Sequence, residues 1–163
     1  MLPPFASVRH FIFDIDGVLT DGQLLISESG LPLRTMNIRD GYALQRAVSK
    51  GYKVSILSGA TGEGLTVRLN RLGIEHIALG IQDKLSCFTA WCAEGVVNPA
   101  ETLYMGDDMP DVPVLQQVLL PCAPFDACAD VLAVANYVSP KAGGQGCARD
   151  VIEKVMRLHA CWG

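Results

Sequence analysis

The sequence predicts an α/β fold, a central parallel sheet with helices on its faces, and three observations carry the prediction. Short apolar runs alternate with helix-like segments, the pattern of crossover units feeding a parallel sheet. The first apolar run ends in Asp14 and Asp16, followed by Gly17, as where a strand opens into a loop. Half of the 163 residues are apolar, enough for the core of one domain spanning 1–163.

Val8 to Phe13 reads as the first strand. Two β-prone runs follow, Gln23 to Ser27 and Leu31 to Asn37, around the turn residues Glu28, Ser29 and Gly30. They form a hairpin over 23–37, placed as a flap or as an edge for another subunit. Pro32 suits an edge strand. Asp40 is expected to cap a helix with Leu44, Ala47 and Val48 on one face and Gly51 at its end. Lys53 to Leu57 is a strand, and Thr61 caps a helix whose Leu65, Leu69 and Leu72 recur on its core face. A strand over Ile74 to Leu79 precedes a helix with Leu85, Phe88 and Cys92 inward. Asn98 to Glu101 is a turn, and the strand Thr102 to Gly106 ends in Asp107 and Asp108. A helix over Val112 to Val118, short elements near Leu120 and over Ala135 to Val138, and a helix from Ala148 to Leu158 complete the chain. Ala142 to Gly146 reads as a mobile loop.

The net charge of −4, without a block of Lys or Arg, argues against nucleic acid and anionic membranes as partners. No cationic segment followed by a long apolar stretch stands at the start, so neither a leader nor a membrane span is expected and the protein is placed in the cytoplasm. Six scattered cysteines lack a Cys-x-x-Cys pair and read as reduced thiols. A positive mean hydropathy with few charges predicts an oligomer.

Ligands of open parallel sheets bind beyond the carboxyl ends of the strands. Asp14 and Asp16 stand at the first such end. Residues i and i+2 of a strand share a face, so their carboxylates converge, and like charges at that spacing require a cation or a shared proton. Ser58 and Gly59 follow the second strand, Lys84 opens a helix after the third, and Asp107 and Asp108 follow the fourth. Each has a plainer reading as a cap, a turn residue or a solvated charge. Their joint arrival at one edge favours a site.

These residues, Asp14-Ile15-Asp16-Gly17-Val18, Ser58-Gly59, Lys84 and Gly106-Asp107-Asp108-Met109-Pro110-Asp111, resemble the haloacid dehalogenase superfamily of phosphohydrolases over almost the whole chain. More narrowly, Asp16 to Gly22, Asn37 to Gly41, Leu72 to Ile74 and Gly143 to Arg149 resemble the group acting on 3-deoxy-D-manno-octulosonate 8-phosphate. The resemblance implies a three-layer Rossmann-like sandwich without a cap domain, and a tetramer in which a neighbour helps close the site. It also implies a magnesium-dependent phosphatase with Asp14 as nucleophile and Asp16 as acid and then base. Magnesium would be held by an Asp14 oxygen, the Asp16 backbone carbonyl and Asp107. Ser58 and Lys84 would clamp the phosphate, while one of Asp108 and Asp111 would orient a metal-bound water and Asp111 would hold Lys84.

For a sugar-acid substrate, Arg39, Lys141 and Arg149 are candidate carboxylate partners, with Gly59, Thr20 and Asp21 at the entrance; loop-turn roles explain Thr20 and Asp21 equally well. Relatives often carry Arg where Ala60 and Gln145 stand, which leaves an eight-carbon or a nine-carbon keto-deoxy acid as substrate, acylneuraminate 9-phosphate among the latter. A phospho-acceptor receiver domain is the competitor from another class. Receivers are similar to one another in placing the acceptor Asp on a middle strand, and here that end carries Ser58. A catalytically silent subunit that binds partners through its hairpin ranks last.

Overall fold

The computed structural model describes residues 3–163; Met1 and Leu2, where the segment read as lacking a leader begins, lie outside them. Six strands, β1 (His10–Phe13), β4 (Lys53–Leu57), β5 (His76–Ala78), β6 (Thr102–Met105), β7 (Leu120–Ala123) and β8 (Tyr137–Val138), form one sheet in the order β5-β4-β1-β6-β7-β8. Every neighbouring pair is parallel. The chain leaves β1 towards β4 and β5, then returns to β6 on the other side of β1. Crevices of open sheets lie at such reversals.

Strand alternation sends Phe11 and Phe13 to one face and Ile12 to the other, so the sheet is covered twice. On the first face they pack with Leu44 and Ala47 of α1 (Ile38–Ser49), Leu65 and Leu69 of α2 (Glu63–Arg71), and Val151, Ile152 and Val155 of α6 (Cys147–Leu158). On the second, Ile12, Leu57 and Tyr104 meet Phe88 of α3 (Lys84–Ala93), Val114 and Leu115 of α4 (Val112–Leu115), and Val131 of α5 (Ala129–Val134). The strands are mostly apolar because both faces are buried, with His10, Ser55 and Thr102 as buried polar exceptions.

Several expectations need correction. Asn37, not Asp40, caps α1, accepting from the Arg39 amide at 2.8 Å. Asp40 caps α6 instead: its Oδ1 accepts the Arg149 amide at 2.8 Å, an orphan donor that the Gly146 N-cap has no side chain to satisfy. Gly62 rather than Thr61 stands before α2. Only Phe88 of the α3 apolar trio is buried, while Leu85 and Cys92 are partly exposed. Helix α5, a single short helix over Ala129–Val134, went unread because its six residues are too few to show a period.

The glycine loop is packed rather than mobile. Gly144 donates to the Val18 carbonyl at 2.9 Å and Gly143 to Asp126 Oδ1 at 2.9 Å. A Cβ on Gly143 would lie 2.0 Å from the Gly17 carbonyl oxygen, so only glycine permits this approach.

The hairpin pairs β2 (Leu25–Ile26) with β3 (Pro32–Leu33) and stands apart from the main sheet. Its leucines point outward: Leu25, Leu31 and Leu33 are 69, 66 and 53% exposed. Pro32, Arg34 and Met36 alternate with them and face the body of the protein.

Candidate active site

At the β1 end, Asp14 is held by the sheet itself, its amide donating to the Met105 carbonyl at 3.1 Å. Its side chain is buried, with Oδ1 accepting from the Ile15 amide at 2.6 Å and Oδ2 from Lys84 Nζ at 2.7 Å. Lys84 lies at the first turn of α3, also buried, and its ammonium donates to Asp111 Oδ1 at 2.6 Å. Asp111 is the organiser of this corner. Its Oδ1 also accepts the Tyr104 hydroxyl at 2.5 Å, and its Oδ2 accepts the amides of Asp107 at 3.0 Å and Asp108 at 3.3 Å.

Burial raises the Asp14 carboxyl, the Asp111 charge adds to the rise, and Lys84 opposes it. For Lys84 burial works downward, but the Asp111 and Asp14 charges outweigh it and the ammonium is held above its ordinary range. Burial, with Asp111 and Asp14 beside it, pushes Asp107 up to about 7. One oxygen from each of Asp14, Asp107 and Asp111 lies within 4.8 Å of the others. Three carboxylates against one ammonium leave excess negative charge in a partly desolvated corner, and hard oxygen donors so arranged fit a small divalent cation. Asp111 already accepts four donors, from Lys84, Tyr104 and the Asp107 and Asp108 amides, against two for Asp14, so Asp14 and Asp107 are the side chains with more capacity to hold it.

Gly17 makes this closeness possible. It adopts φ +82°, and a Cβ there would fall 1.9 Å from Asp107 Oδ2.

Asp16 is less buried and differently engaged. Arg34 grips it with both arms, Nε to Oδ1 at 2.7 Å and Nη2 to Oδ2 at 2.9 Å, while Thr20 Oγ1 donates to Oδ1 at 3.3 Å. Thr20 is fully buried and also accepts the Gly17 and Gly22 amides, so it ties the loop together rather than lining an entrance. Asp21 is exposed and accepts the Gln23 amide at 3.0 Å in a local turn.

Asp14, Asp16, Ser58, Gly59, Ala60, Lys84, Asp107, Asp108 and Asp111 all border one cavity of about 520 Å³. Ser58 is buried, and its Oγ accepts the Ala60 amide at 3.2 Å. Asp108 is exposed and caps the 3₁₀ turn Met109–Asp111. Arg39, Lys141 and Arg149 are not brought there: they border a separate cleft of about 490 Å³ beside α6, where Arg149 pairs with Glu153 and lies 5.2 Å over the Trp162 ring. The tail packs on its own chain, Trp162 against Tyr42 and His159 against Tyr52 and the Ala6 carbonyl.

Sequence reading missed Arg34 and Tyr104. The hairpin alternation contained the signal for Arg34, but its outward leucines invert the usual assignment of faces. Tyr104 sits inside an apolar strand, and nothing in the sequence marks its hydroxyl as a partner of Asp111.

No protein-family model matches the chain. The 3-deoxy-D-manno-octulosonate 8-phosphate phosphatase KdsC of Yersinia pestis is 36% identical over 93% of this chain and 81% of its own length. That of Escherichia coli K12 is 34% identical over 92% and 80%. Among solved structures, the phosphatase of Moraxella catarrhalis in complex with magnesium, phosphate and KDO superposes at a TM-score of 0.89 with 28% identity, over 94% of this chain and 88% of that one. The cobalt-bound phosphatase (YrbI) of Haemophilus influenzae does so at 0.89 with 30% identity, over 96% and 89%. No helix among the described residues is long and apolar enough to cross a membrane. The chain is a phosphatase of the haloacid dehalogenase superfamily and belongs to its 3-deoxy-D-manno-octulosonate 8-phosphate phosphatase family.

Proposed function

We propose that the protein hydrolyses the phosphomonoester of a keto-deoxy sugar acid, 3-deoxy-D-manno-octulosonate 8-phosphate, through a phosphoryl group carried on Asp14. The observation that supports this most is the buried Asp14–Lys84–Asp111 chain beside Asp107, at the carboxyl ends of β1 and β6. Asp14, whose Oδ2 accepts Lys84 and whose Oδ1 accepts the Ile15 amide, borders the cavity and is the carboxylate assigned to in-line attack. The bond from Asp14 to phosphorus forms as the bond from phosphorus to the sugar oxygen breaks, and Asp16 gives that oxygen its proton. Asp16 then takes a proton from water as the water attacks phosphorus, releasing phosphate and restoring Asp14. Ser58 and Lys84 offset charge on the phosphoryl oxygens. Magnesium, held by Asp14 and Asp107 with the Asp16 carbonyl, would offset the mutual repulsion of an anionic nucleophile and an anionic ester.

A homotetramer built through the hairpin accounts for its outward Leu25, Ile26, Leu31 and Leu33, a row that water alone does not favour. Six unpaired cysteines suit a reducing cytoplasm. The test is phosphate release from eight-carbon and nine-carbon keto-acid phosphates and from neutral sugar phosphates, with and without magnesium. Selective, magnesium-dependent release from the eight-carbon ester is expected. Preference for a nine-carbon ester moves the assignment to that substrate, and no release from any acid ester overturns it.

A further inference from the structure

Five of the chain's 13 Lys and Arg border the cleft of about 490 Å³ beside α6, in a protein whose net charge is −4. Arg149, Lys154 and Arg157 come from α6, Arg39 from the first turn of α1, and Lys141 from the segment leading into the glycine loop. Only two carboxylates, Asp150 and Glu153, stand among them. On an isolated helix face, pairs four residues apart are the ordinary solvated arrangement, and part of the lining follows it: Glu153 accepts from Arg149 Nε at 3.2 Å and from Arg157 Nη2 at 2.6 Å, and Asp150 holds Lys154. Arg39 and Lys141 do not. They belong to other segments, and neither has an ion pair among the described residues. Five cations against two acids in a concave wall raise the local positive potential and draw a counter-anion.

The two acids also orient the cations they touch. Glu153 occupies Nε of Arg149 and Nε and Nη2 of Arg157, so both Nη atoms of Arg149 and Nη1 of Arg157 have no hydrogen-bond partner among the described residues. Forked guanidinium donors beside the point charge of an ammonium suit the oxygens of a phosphoryl group. The volume is that of a small-molecule site. A nucleic acid would need a cationic track running beyond the cleft, and the chain has no block of Lys or Arg to extend it.

We propose that this cleft is a binding site, separate from the catalytic cavity, for a small anion of two or three linked phosphoryl groups. Arg39 and Lys141 supply the uncompensated charge, and Arg149 and Arg157 add their free guanidinium arms. The site adjoins the loop that supports the catalytic end of β1. Gly143 and Gly144 lie between Lys141 and Arg149, and Gly144 donates to the Val18 carbonyl at 2.9 Å. Asn37, two residues before Arg39, donates to the Gly144 carbonyl at 3.1 Å. An anion shared by Arg39 and Lys141 therefore straps α1 to the glycine loop from the outer side and steadies that loop.

The experiment is a calorimetric titration of the full chain with sodium tripolyphosphate at about 0.15 M salt, where distant charges are screened. Magnesium is left out, so that the catalytic cavity, with five aspartates against Lys84, repels the probe. One equivalent should bind. Arg39→Gln combined with Lys141→Gln should weaken binding about a hundredfold, two charge-assisted bonds at about tenfold each. Lys50→Gln combined with Arg71→Gln removes the same charge from exposed positions elsewhere and should change affinity less than about fivefold. Circular dichroism verifies folding of both. In hydrogen exchange the bound probe should slow the peptide covering 141–149. Absence of saturable binding, more than one equivalent, or a cleft variant that loses no more than the control overturns the site. Protection confined to 14–20 and 107–111 places the probe in the catalytic cavity and overturns it too, and an oligoribonucleotide binding more tightly than tripolyphosphate replaces it with a nucleic-acid surface.

Discussion

Lys84 donates to Asp111 at 2.6 Å in a buried corner of the cavity, and the same ammonium reaches Asp14 at 2.7 Å. One cation from the start of α3 thereby fixes the two carboxylates that close β1 and follow β6. Removing either partner strands a desolvated charge, which costs more than the pair contributes. Asp111→Asn should lower stability by about 3–5 kcal/mol, the range for breaking a buried pair. It should also depress phosphate release, because Lys84 loses its anchor. Denaturant unfolding and a phosphate assay on the same preparation check both.

Tyr104→Phe isolates one arm of that network. The hydroxyl donates to Asp111 from a fully buried strand position. Its loss should cost about 1–3 kcal/mol, the range for a buried acceptor deprived of a partner, and urea midpoints would register it.

Metal affinity should follow the Asp107 carboxyl, pushed up to about 7 by burial and by Asp111 and Asp14. Below that pH the carboxyl carries a proton that must leave before it can ligate, and above it none need leave. Apparent magnesium affinity should rise about tenfold per pH unit up to neutrality and then level off, with proton release on binding detectable by calorimetry in buffers of different ionisation enthalpy.

His10 predicts an acid-side weakness. Burial, helped by Lys53 and His76, lowers its pKa to about 3, while its Nε2 pairs with Ser55 Oγ at 2.7 Å. Between pH 6.5 and 3 the unfolded chain binds a proton there that the folded chain refuses. This contribution is therefore complete above 6.5 and is lost as pH falls, by about 1.4 kcal/mol per pH unit. Asp14, Asp40 and Asp107, which burial raises, act in the opposite direction, so the comparison is with His10→Gln. The variant should show a shallower loss of stability below pH 6.

Deleting residues 24 to 36 removes the outward leucines and Arg34 together. The expected result is a smaller assembly by light scattering and weaker discrimination between acid and neutral esters. An unchanged assembly with unchanged preference argues against the hairpin's part in both.

The sheet was legible because its strands are short apolar runs with chemistry at their ends, as Asp14, Ser58 and Asp107 illustrate. The groups that converge on the cavity were legible for the same reason: parallel strands bring all their carboxyl ends to one edge. What the sequence left hidden is set by tertiary contact. Asp40 carries a capping side chain, but which helix it caps depends on the packing of α1 against α6. Arg39 and Arg149 carry the right charge, yet helix packing turns them to another cleft. Arg34 lies in a hairpin whose apolar face points away from the core, so alternation alone assigns it outward.

The central claim, that Asp14 carries the phosphoryl group, is tested most directly by rapid acid quench of the wild-type protein during reaction with the eight-carbon ester, followed by peptide mass spectrometry. The peptide containing Asp14 should carry a phosphoryl increment that Asp14→Asn lacks. Phosphate appearing without any modified peptide, or the increment on a different residue, would contradict the account.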